Sequence, residues 1–227
     1  MIGAGVSAVH ALPEGAAARF DAFHAQLTAW NARMDLAAVL SEEEALYRHY
    51  LDSLTALPLL PQGASVVDVG TGAGFPGVPL LLARPDLSLT LLDALKKRID
   101  FLQSALAALH VSARAVHGRA EDFARETREA FDAAVSRATA SLPVALEWML
   151  PLVRVGGRCV VWKGPGAREE LPDAERVSRM LGGGEVQLRE APVPGRDWRH
   201  VLAVVEKERE TPARFPRRAG MALKRPL

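Results

Sequence analysis

The chain has 227 residues, with 28 Lys plus Arg against 27 Asp plus Glu, so its formal net charge is +1. A total this close to zero argues against a protein that wraps nucleic acid with a strongly basic surface. Hydrophobic residues make up 49% and charged residues 24%, which excludes a disordered low-complexity chain. The single cysteine, Cys159, allows neither an intrachain disulfide nor a Cys-based zinc cluster, so we expect a reducing, cytoplasmic location and no metal.

The first 60 residues are predicted to form a helical extension. Residues 1–12 carry no Lys or Arg, and no segment reaches the ~18 apolar residues of a membrane span, so we expect a loose start without an export signal. Helices are predicted at 14–32, on an apolar stripe, and at 41–57, where Ser41 and Glu44 form a capping box. The stripe consists of Phe20, Phe23, Leu27 and Trp30.

Short apolar, β-branched runs then alternate with helical stretches, which predicts a mostly parallel sheet. Strands are predicted at 65–69, 89–93, 113–117, 133–136, 158–162, 185–190 and 200–206, with helices notably at 96–109 and 139–150. The loop 191–197 is too short for a parallel crossover, so the last two strands should form an antiparallel hairpin. The predicted fold is α/β and Rossmann-like: a mostly parallel seven-stranded sheet with a C-terminal antiparallel hairpin, preceded by N-terminal helices.

The charge is unevenly spread along the chain. Residues 206–227 hold seven basic and three acidic residues, a net charge of +4, which leaves −3 for residues 1–205. We therefore divide the chain into the extension 1–60, an α/β domain 61–206 and a basic tail 207–227. Extended Arg and Lys suit phosphate contacts, so the tail is predicted to bind RNA. Phe215 within it is expected either to stack on a base or to pack on the body.

A glycine loop follows the first predicted strand. Gly70, Gly72 and Gly74 stand between this strand and a helix, with Asp68 just before the loop. Asp93 ends the next strand, 19 residues beyond Gly74, and faces the same crevice. An acid at that place can accept hydrogen bonds from both ribose hydroxyls. The pattern therefore predicts an adenosine-containing cofactor.

Two cofactors fit this loop. Read from Gly72, it matches G-x-G-x-x-G, a dinucleotide signature. Read from Gly70, it matches G-x-G-x-G, the pattern of S-adenosyl-L-methionine (AdoMet) methyltransferases. Only about 60 residues precede the loop, too few for the usual substrate domain of a nicotinamide enzyme. The terminal hairpin and Asp68 also favour AdoMet and a class I methyltransferase fold, with a nicotinamide oxidoreductase as the distant alternative.

Longer motifs resemble one family. The run DVGTGAGFPGVPL at 68–80 and the H-x-x-D-S-L run at 49–54 are far more specific than the glycines. Further matching runs lie at 91–93, 97–98, 101–102, 119–121, 136–138, 163–164 and in the tail. With these motifs the chain resembles the bacterial small-subunit ribosomal RNA methyltransferase G family, also called glucose-inhibited division protein B. Asp35 and Ala37 depart from the family pattern, which usually has Asn and Thr there.

The resemblance implies a reaction and a partner. It implies methyl transfer from AdoMet to N7 of a guanine in 16S rRNA, in the 530 loop at guanine 527 in the customary rRNA numbering. The partner would be 16S rRNA, the small ribosomal subunit or its assembly intermediate. N7 carries a lone pair and no proton, so no general base is required, and positioning should dominate. A small-molecule methyltransferase and a non-catalytic RNA-binding module remain alternatives, and we expect a monomer.

The resemblance also implies the site residues. The cofactor residues implied are Gly70, Gly72, Gly74, Phe75, Asp93, Ala94, Leu95, Ala120, Glu121 and Arg137. Arg137 is also the one catalytic candidate, either orienting the cofactor's carboxylate, gripping an RNA phosphate or polarising guanine O6. It stands in Ser136-Arg137-Ala138, where exocyclic-amine methyltransferases have N/D-P-P-Y/F. Cys159 lies inside a predicted core strand and is expected to pack there.

RNA contacts are predicted from position and charge. His49, Asp52 and Ser53 share one helix face, either as a polar group at the mouth of the cleft or as a packing network. Lys163 ends the fifth predicted strand on the target-base side. The predicted RNA-binding residues are His49, Lys163, Lys207, Arg214, Arg217 and Arg218.

Overall fold

Seven strands form one sheet in the order β3-β2-β1-β4-β5-β7-β6. The computed structural model describes residues 1–34, 36–38, 41–137 and 140–227. The strands are β1 (Ser65–Val69), β2 (Ser88–Asp93), β3 (Arg114–His117), β4 (Phe131–Arg137), β5 (Val153–Lys163), β6 (Gly183–Glu190) and β7 (Val201–Lys207). Every pair is parallel except β5 with β7 and β6 with β7. This confirms the predicted sheet and its terminal antiparallel hairpin.

The strand order reverses beside β1. From β1 the chain crosses to β2 and then β3 on one side, and afterwards returns to β4 and β5 on the other. The carboxyl ends of β1 and β4 therefore border a crevice, which is where open α/β sheets bind ligands. Apolar residues cover both faces of the sheet, and Val66, Val67 and Ala134 are fully buried between the helical layers.

Helices follow most strands and cover the sheet. They are α5 (Gly77–Ala83), α6 (Lys96–Ala108), α7 (Ala120–Glu126), α8 (Leu142–Met149), α9 (Leu171–Met180) and a last turn, α10 (Met221–Lys224). The predicted helix 139–150 thus begins at Leu142, and its first predicted position, 139, lies outside the described residues. None of the helices described is long and apolar enough to cross a membrane.

The N-terminal region is more ordered than predicted. Residues 2–7 form α1 (Ile2–Ser7), whose Ile2 and Val6 are buried against α2 (Ala16–Asn31), so the expected loose start is wrong. Tertiary packing of Ile2 and Val6, four residues apart, stabilises a helix that is too short to form alone. The mildly apolar, glycine-containing sequence around them carries no helix signal.

The predicted helix 41–57 contains an irregularity. It runs as α3 (Glu42–Ala45), a π-helical segment (Leu46–Leu51) and α4 (Asp52–Leu54), with helical backbone angles at each junction. The Ser41 side chain accepts a hydrogen bond from the Glu44 N–H at 3.2 Å, as the capping box requires. π-Helical turns are rare and frequently lie at functional sites. Here the turn carries His49 to the edge of the crevice.

Candidate active site

A cavity of ≈ 470 Å³ opens at the carboxyl ends of the central strands. Its wall includes Gly70, Gly72, Phe75, Asp93, Ala94, Leu95, Ala120, Glu121 and Arg137, so the structure brings these predicted cofactor residues together. His49, predicted as an RNA contact, lines the same cavity. Gly74 is the exception among the predicted cofactor residues, because it lies outside the wall.

The three loop glycines have different tasks, although all have left-handed backbone angles. A Cβ at Gly72 would meet no atom within 4 Å, so its backbone faces open space where a ligand can approach. A Cβ at Gly74 would lie 2.8 Å from Val78 and 2.9 Å from Leu102. Gly74 is therefore needed for packing between the loop and the helices behind it. It was predicted to line the cofactor site, but it lies outside the cavity wall.

Asp68 fastens the loop from beneath. Its Oδ2 accepts hydrogen bonds from the Thr71 hydroxyl at 2.7 Å and from the Gly77 N–H at 2.8 Å. A Cβ at Gly77 would lie 2.7 Å from the same oxygen, which explains the glycine there. Oδ1 is buried and has no protein partner among the described residues. Burial raises the pKa of Asp68 to about 7, since lost hydration outweighs the two donated bonds.

Asp93 connects the loop with the end of β2. Its Oδ2 accepts from the Gly72 N–H at 2.9 Å and from Arg98 at 3.1 Å, while Oδ1 accepts from the Leu95 N–H at 2.8 Å. The side chain is buried but lies in the cavity wall. Each carboxylate oxygen has more than one lone pair. Asp93 can therefore order the loop and still accept hydrogen bonds from a ribose.

Arg137, at the end of β4, forms the opposite side of the cavity. It donates to Asp52 Oδ2 at 3.0 Å, to the Arg48 carbonyl at 3.0 Å and to Ser53 Oγ at 3.3 Å. Its guanidinium carbon lies 5.4 Å from the centre of the Phe75 ring, within cation–π range. Burial lowers the pKa of Arg137, and the neighbouring Asp52 carboxylate opposes that shift. The cation is thus held in one place by the helix 42–54.

His49 stacks on Phe75 with ring centroids 4.8 Å apart. Burial, reinforced by the nearby Arg137 charge, lowers the pKa of His49 to about 4, so the ring is neutral near pH 7. Both ring nitrogens are buried and have no partner among the described residues. His49 is therefore a polar group at the cleft, whereas Asp52 and Ser53 are buried and form the packing network. The first alternative, a polar group at the cleft, thus describes His49, and the second, a packing network, describes Asp52 and Ser53.

The sequence of this chain is similar to those of known methyltransferases. The family model described as rRNA small subunit methyltransferase G matches residues 16–197. The chain belongs to this family. The protein of Alkaliphilus oremlandii named ribosomal RNA small subunit methyltransferase G is 45% identical over 206 residues, which cover 88% of this chain and 86% of that protein. The resemblance inferred from the motifs is therefore confirmed.

Solved structures support the fold of the rRNA small subunit methyltransferase G family in this chain. A TehB-like SAM-dependent methyltransferase from Corynebacterium glutamicum has a TM-score of 0.53 at 19% identity, covering 82% of this chain and 98% of that one. A 16S rRNA N2 methyltransferase of T. thermophilus, solved with AdoMet and guanosine, has a TM-score of 0.50 at 20% identity over 73% of this chain and 41% of that one. The predicted Rossmann-like methyltransferase fold is confirmed.

Several cavity residues of this family member were not predicted as site residues. They are Val69, Thr71, Ala73, Leu92, Arg98, Gly118, Arg119, Trp148 and the segment 36–38. Thr71 lies between the loop glycines and Arg98 follows Asp93 by five residues, so position along the chain was a usable signal for both. Trp148 lies on α8, and helical periodicity does not say which face of that helix meets the cleft. Its indole N–H is buried without a protein partner among the described residues.

The C-terminal segment lies on the body, which corrects part of the RNA prediction. The Lys207 ammonium is fully buried and donates to the Leu150 carbonyl at 2.6 Å, to Thr211 Oγ1 at 2.6 Å and to Glu129 at 3.1 Å. A buried ammonium cannot reach RNA, so the prediction for Lys207 is wrong. Phe215 is also buried, which decides for packing on the body over base stacking.

The remaining predicted RNA residues differ in their surroundings. Arg217 forms a two-bond ion pair with the buried Glu147 of α8, both contacts at 2.6 Å. Lys163 is mostly buried and pairs with Glu170 at 2.6 Å. Arg214 and Arg218 are exposed. Among the four tail residues predicted to bind RNA, only Arg214 and Arg218 form no ion pair with a buried group in the part of the chain that the structure describes. RNA contact by these two arginines stays a prediction.

Proposed function

We propose that this chain transfers a methyl group from AdoMet to N7 of a guanine in 16S rRNA, at guanine 527 of the 530 loop in the customary rRNA numbering. The observation that carries the proposal is the cleft itself. A ribose-type carboxylate, Asp93, lies on one wall, and a cation held over an aromatic ring, Arg137 over Phe75, lies on the other. The family membership of the chain supports the same reaction.

The residues present fit AdoMet. Asp93 would hold the ribose, and the open space in front of the Gly72 backbone leaves room for the part of the cofactor that crosses the loop. Ala120 and Glu121 begin α7 beside β3, where an adenine would lie. The cleft has a hydrophobic floor of Val69 and Leu92, which suits a purine ring.

When bound, AdoMet would supply an electrophilic methyl group: the N7 lone pair of guanine would form the new C–N bond while the C–S bond breaks, the sulfur keeping that electron pair, with no proton lost. The chain therefore has to hold the base and provide a suitable electrostatic environment. Arg137 keeps a positive charge at the reactive end and is mostly buried, so a carboxylate of the cofactor or O6 of the base suits it better than an RNA phosphate. The neutral His49 stacks on Phe75 beside this end of the cleft, with both ring nitrogens buried.

The test is direct. Purified protein, labelled AdoMet and 16S rRNA are combined, the product is mapped for 7-methylguanine, and small subunits are tried as a second substrate. The expected result is a single 7-methylguanine in the 530 loop, absent from cells that lack the protein. If that modification persists in such cells, the substrate assignment is wrong. Turnover with free guanosine that equals turnover with rRNA would favour a small-molecule enzyme.

A non-catalytic RNA-binding module is the other candidate. Labelled methyl transfer to rRNA or to small subunits would exclude it, and a steep dependence of substrate affinity on salt would favour RNA over a small metabolite. We further propose that the protein acts as a monomer in the cytoplasm, without a metal. Light scattering during size-exclusion chromatography tests the first of these statements.

A further inference from the structure

Two arginines and two aromatic rings form a stack on the surface next to Arg137. The Arg196 guanidinium lies 4.0 Å from the Tyr47 ring centre and 5.9 Å from that of Trp198. The Arg48 guanidinium lies 4.9 Å from the Trp198 ring centre. We call these four residues the arginine–tryptophan stack. It joins two distant parts of the chain, the π-helical segment Leu46–Leu51 and the connection between β6 and β7.

The stack lies beside the reactive end of the cleft. The connection that carries Arg196 and Trp198 runs into β7, whose first residue, Val201, pairs with Lys163 at the carboxyl end of β5. The neighbouring His200 donates a hydrogen bond from Nδ1 to Asp52 Oδ1 at 2.8 Å, and Asp52 Oδ2 accepts one from Arg137. The Trp198 and His200 rings are 5.3 Å apart. A continuous row of contacts therefore links the stack with the group at the reactive end.

One charge of the stack, that of Arg48, is available for exchange. The Arg48 side chain is 53% exposed and pairs with Glu44, whereas Arg196 is 26% exposed and pairs with Glu43. Exposed ion pairs contribute only about 0–1 kcal/mol, so a phosphate can compete for such an arginine. The local charge is nearly balanced, so recognition at this surface rests on planar groups more than on bulk charge.

An unpaired nucleic acid is the partner that such planar groups fit. N7 of a guanine inside an A-form helix lies in a deep, narrow groove that side chains do not reach. An enzyme that acts on N7 therefore needs its target, and the nucleotides next to it, outside the helix. Bases freed in this way stack on aromatic rings and on arginine planes. The arginine–tryptophan stack contains both kinds of plane next to the cleft, and Tyr47 and Trp198 are partly exposed.

We propose that the arginine–tryptophan stack holds the unpaired nucleotides that flank the target guanine. This inference rests on the proposed function, because it assumes an RNA substrate. It assigns binding of the substrate to Trp198 and Arg48, neither of which lines the cofactor cavity. The stack is thus a docking surface for RNA, separate from the site that holds AdoMet.

Trp198→Ala and Arg48→Ala test this surface, with Arg154→Ala as the matched control. The Arg48 and Arg154 side chains are 53% and 55% exposed, and each pairs with one carboxylate. Arg154, however, lies at the start of β5, at the end of the strands opposite the cleft. The measurements are the Kd for a single-stranded 530-loop fragment, KM and kcat for 16S rRNA, the Kd for AdoMet by calorimetry and the melting temperature.

We expect Trp198→Ala to raise the Kd and KM for RNA by about 5- to 100-fold, the range for loss of one base-stacking partner. Arg48→Ala should raise both less and lower the slope of log Kd against log salt by about one. AdoMet affinity should be unchanged in both variants, and Arg154→Ala should match the wild type throughout. If Trp198→Ala fails to fold, Arg48→Ala decides, because its exposed side chain can be removed without opening the core.

Other outcomes have a defined meaning. Unchanged RNA affinity and KM in both variants, with the wild type active, would overturn the docking surface but leave the proposed function intact. Weakened action on assembled subunits with normal binding to naked rRNA would also overturn it, and would assign the surface to a ribosomal protein. If the wild type makes no 7-methylguanine, the proposed function fails, and the fragment Kd values still decide whether the stack binds RNA.

Discussion

The backbone N–H of Gly220 donates a hydrogen bond to the Glu121 carboxylate at 2.8 Å, which joins the C-terminal segment to the wall of the cleft. Glu121 is buried, so this contact is shielded from solvent. Five residues before Gly220, the segment is held by a second contact, in which Arg128 donates to the Phe215 carbonyl at 2.6 Å. A part of the chain predicted to bind RNA therefore supports the cofactor site.

A chain that ends at Arg218 should bind AdoMet more weakly than the full chain. It keeps the Arg217–Glu147 ion pair but leaves Glu121 buried without the Gly220 donor. A lost hydrogen bond to a buried charged group costs about 1.5–3 kcal/mol. We expect the Kd for AdoMet, measured by calorimetry, to rise roughly ten-fold. A chain that ends at Leu223 keeps Gly220 and is the control, and equal affinity of all three chains would contradict the coupling.

Asp93→Ala should remove recognition of the ribose. The carboxylate lies in the cavity wall, and its replacement also frees the Gly72 N–H. We expect AdoMet affinity to fall by about 10- to 100-fold, the cost of lost hydrogen bonds to a charged group. Because a looser loop alone weakens binding, adenosine and 2′-deoxyadenosine should be compared as ligands. The wild type should distinguish them and Asp93→Ala should not, whereas Arg98→Met keeps the carboxylate and the discrimination.

Lys207→Met should destabilise the protein and leave RNA binding unchanged. Removing the ammonium strands the carboxylate of Glu129 and the acceptors Leu150 O and Thr211 Oγ1. Breaking a buried ion pair from one side costs about 3–5 kcal/mol, and urea denaturation should show this loss. The double variant Lys207→Met with Glu129→Gln should recover part of this loss. Arg214→Ala is the control: because this side chain is exposed, its removal should leave stability unchanged. A weaker RNA affinity in Lys207→Met, without a loss of stability, would contradict the structural role given to Lys207.

Features that depend on neighbouring residues in the chain could be predicted from the sequence. β-Branched runs indicated the strands, the short loop 191–197 indicated the hairpin, and the spacing from Gly74 to Asp93 indicated the cofactor cleft. The burial of Lys207 could not be predicted, because its partner Glu129 lies 78 residues earlier in the chain. The contact between Gly220 and Glu121 spans 99 residues. Charge along a sequence does not reveal whether such a partner exists, so Lys207 was wrongly predicted to contact RNA.

Asp68 gives a prediction for the pH dependence of stability. Burial raises its pKa to about 7, whereas an Asp in an unfolded chain has a pKa of about 4. Between these values the unfolded state binds fewer protons than the folded state. The contribution of this group is therefore fully present below about pH 4 and is lost as the pH rises through 7.

Asp68→Asn removes this titration and keeps an oxygen that can accept from Thr71 and Gly77. The free energy of unfolding of the variant minus that of the wild type should rise from pH 4 to pH 7 by up to roughly 4 kcal/mol, then stay level. Urea denaturation from pH 4.5 to 8.5 measures it. Asp132→Asn is the control, because hydrogen bonds from Ser65 lower the pKa of Asp132, and its difference should stay flat from pH 5 to 8. A flat difference for Asp68→Asn would show that Asp68 is ionised throughout, with its Oδ1 satisfied by a group that the protein itself does not supply.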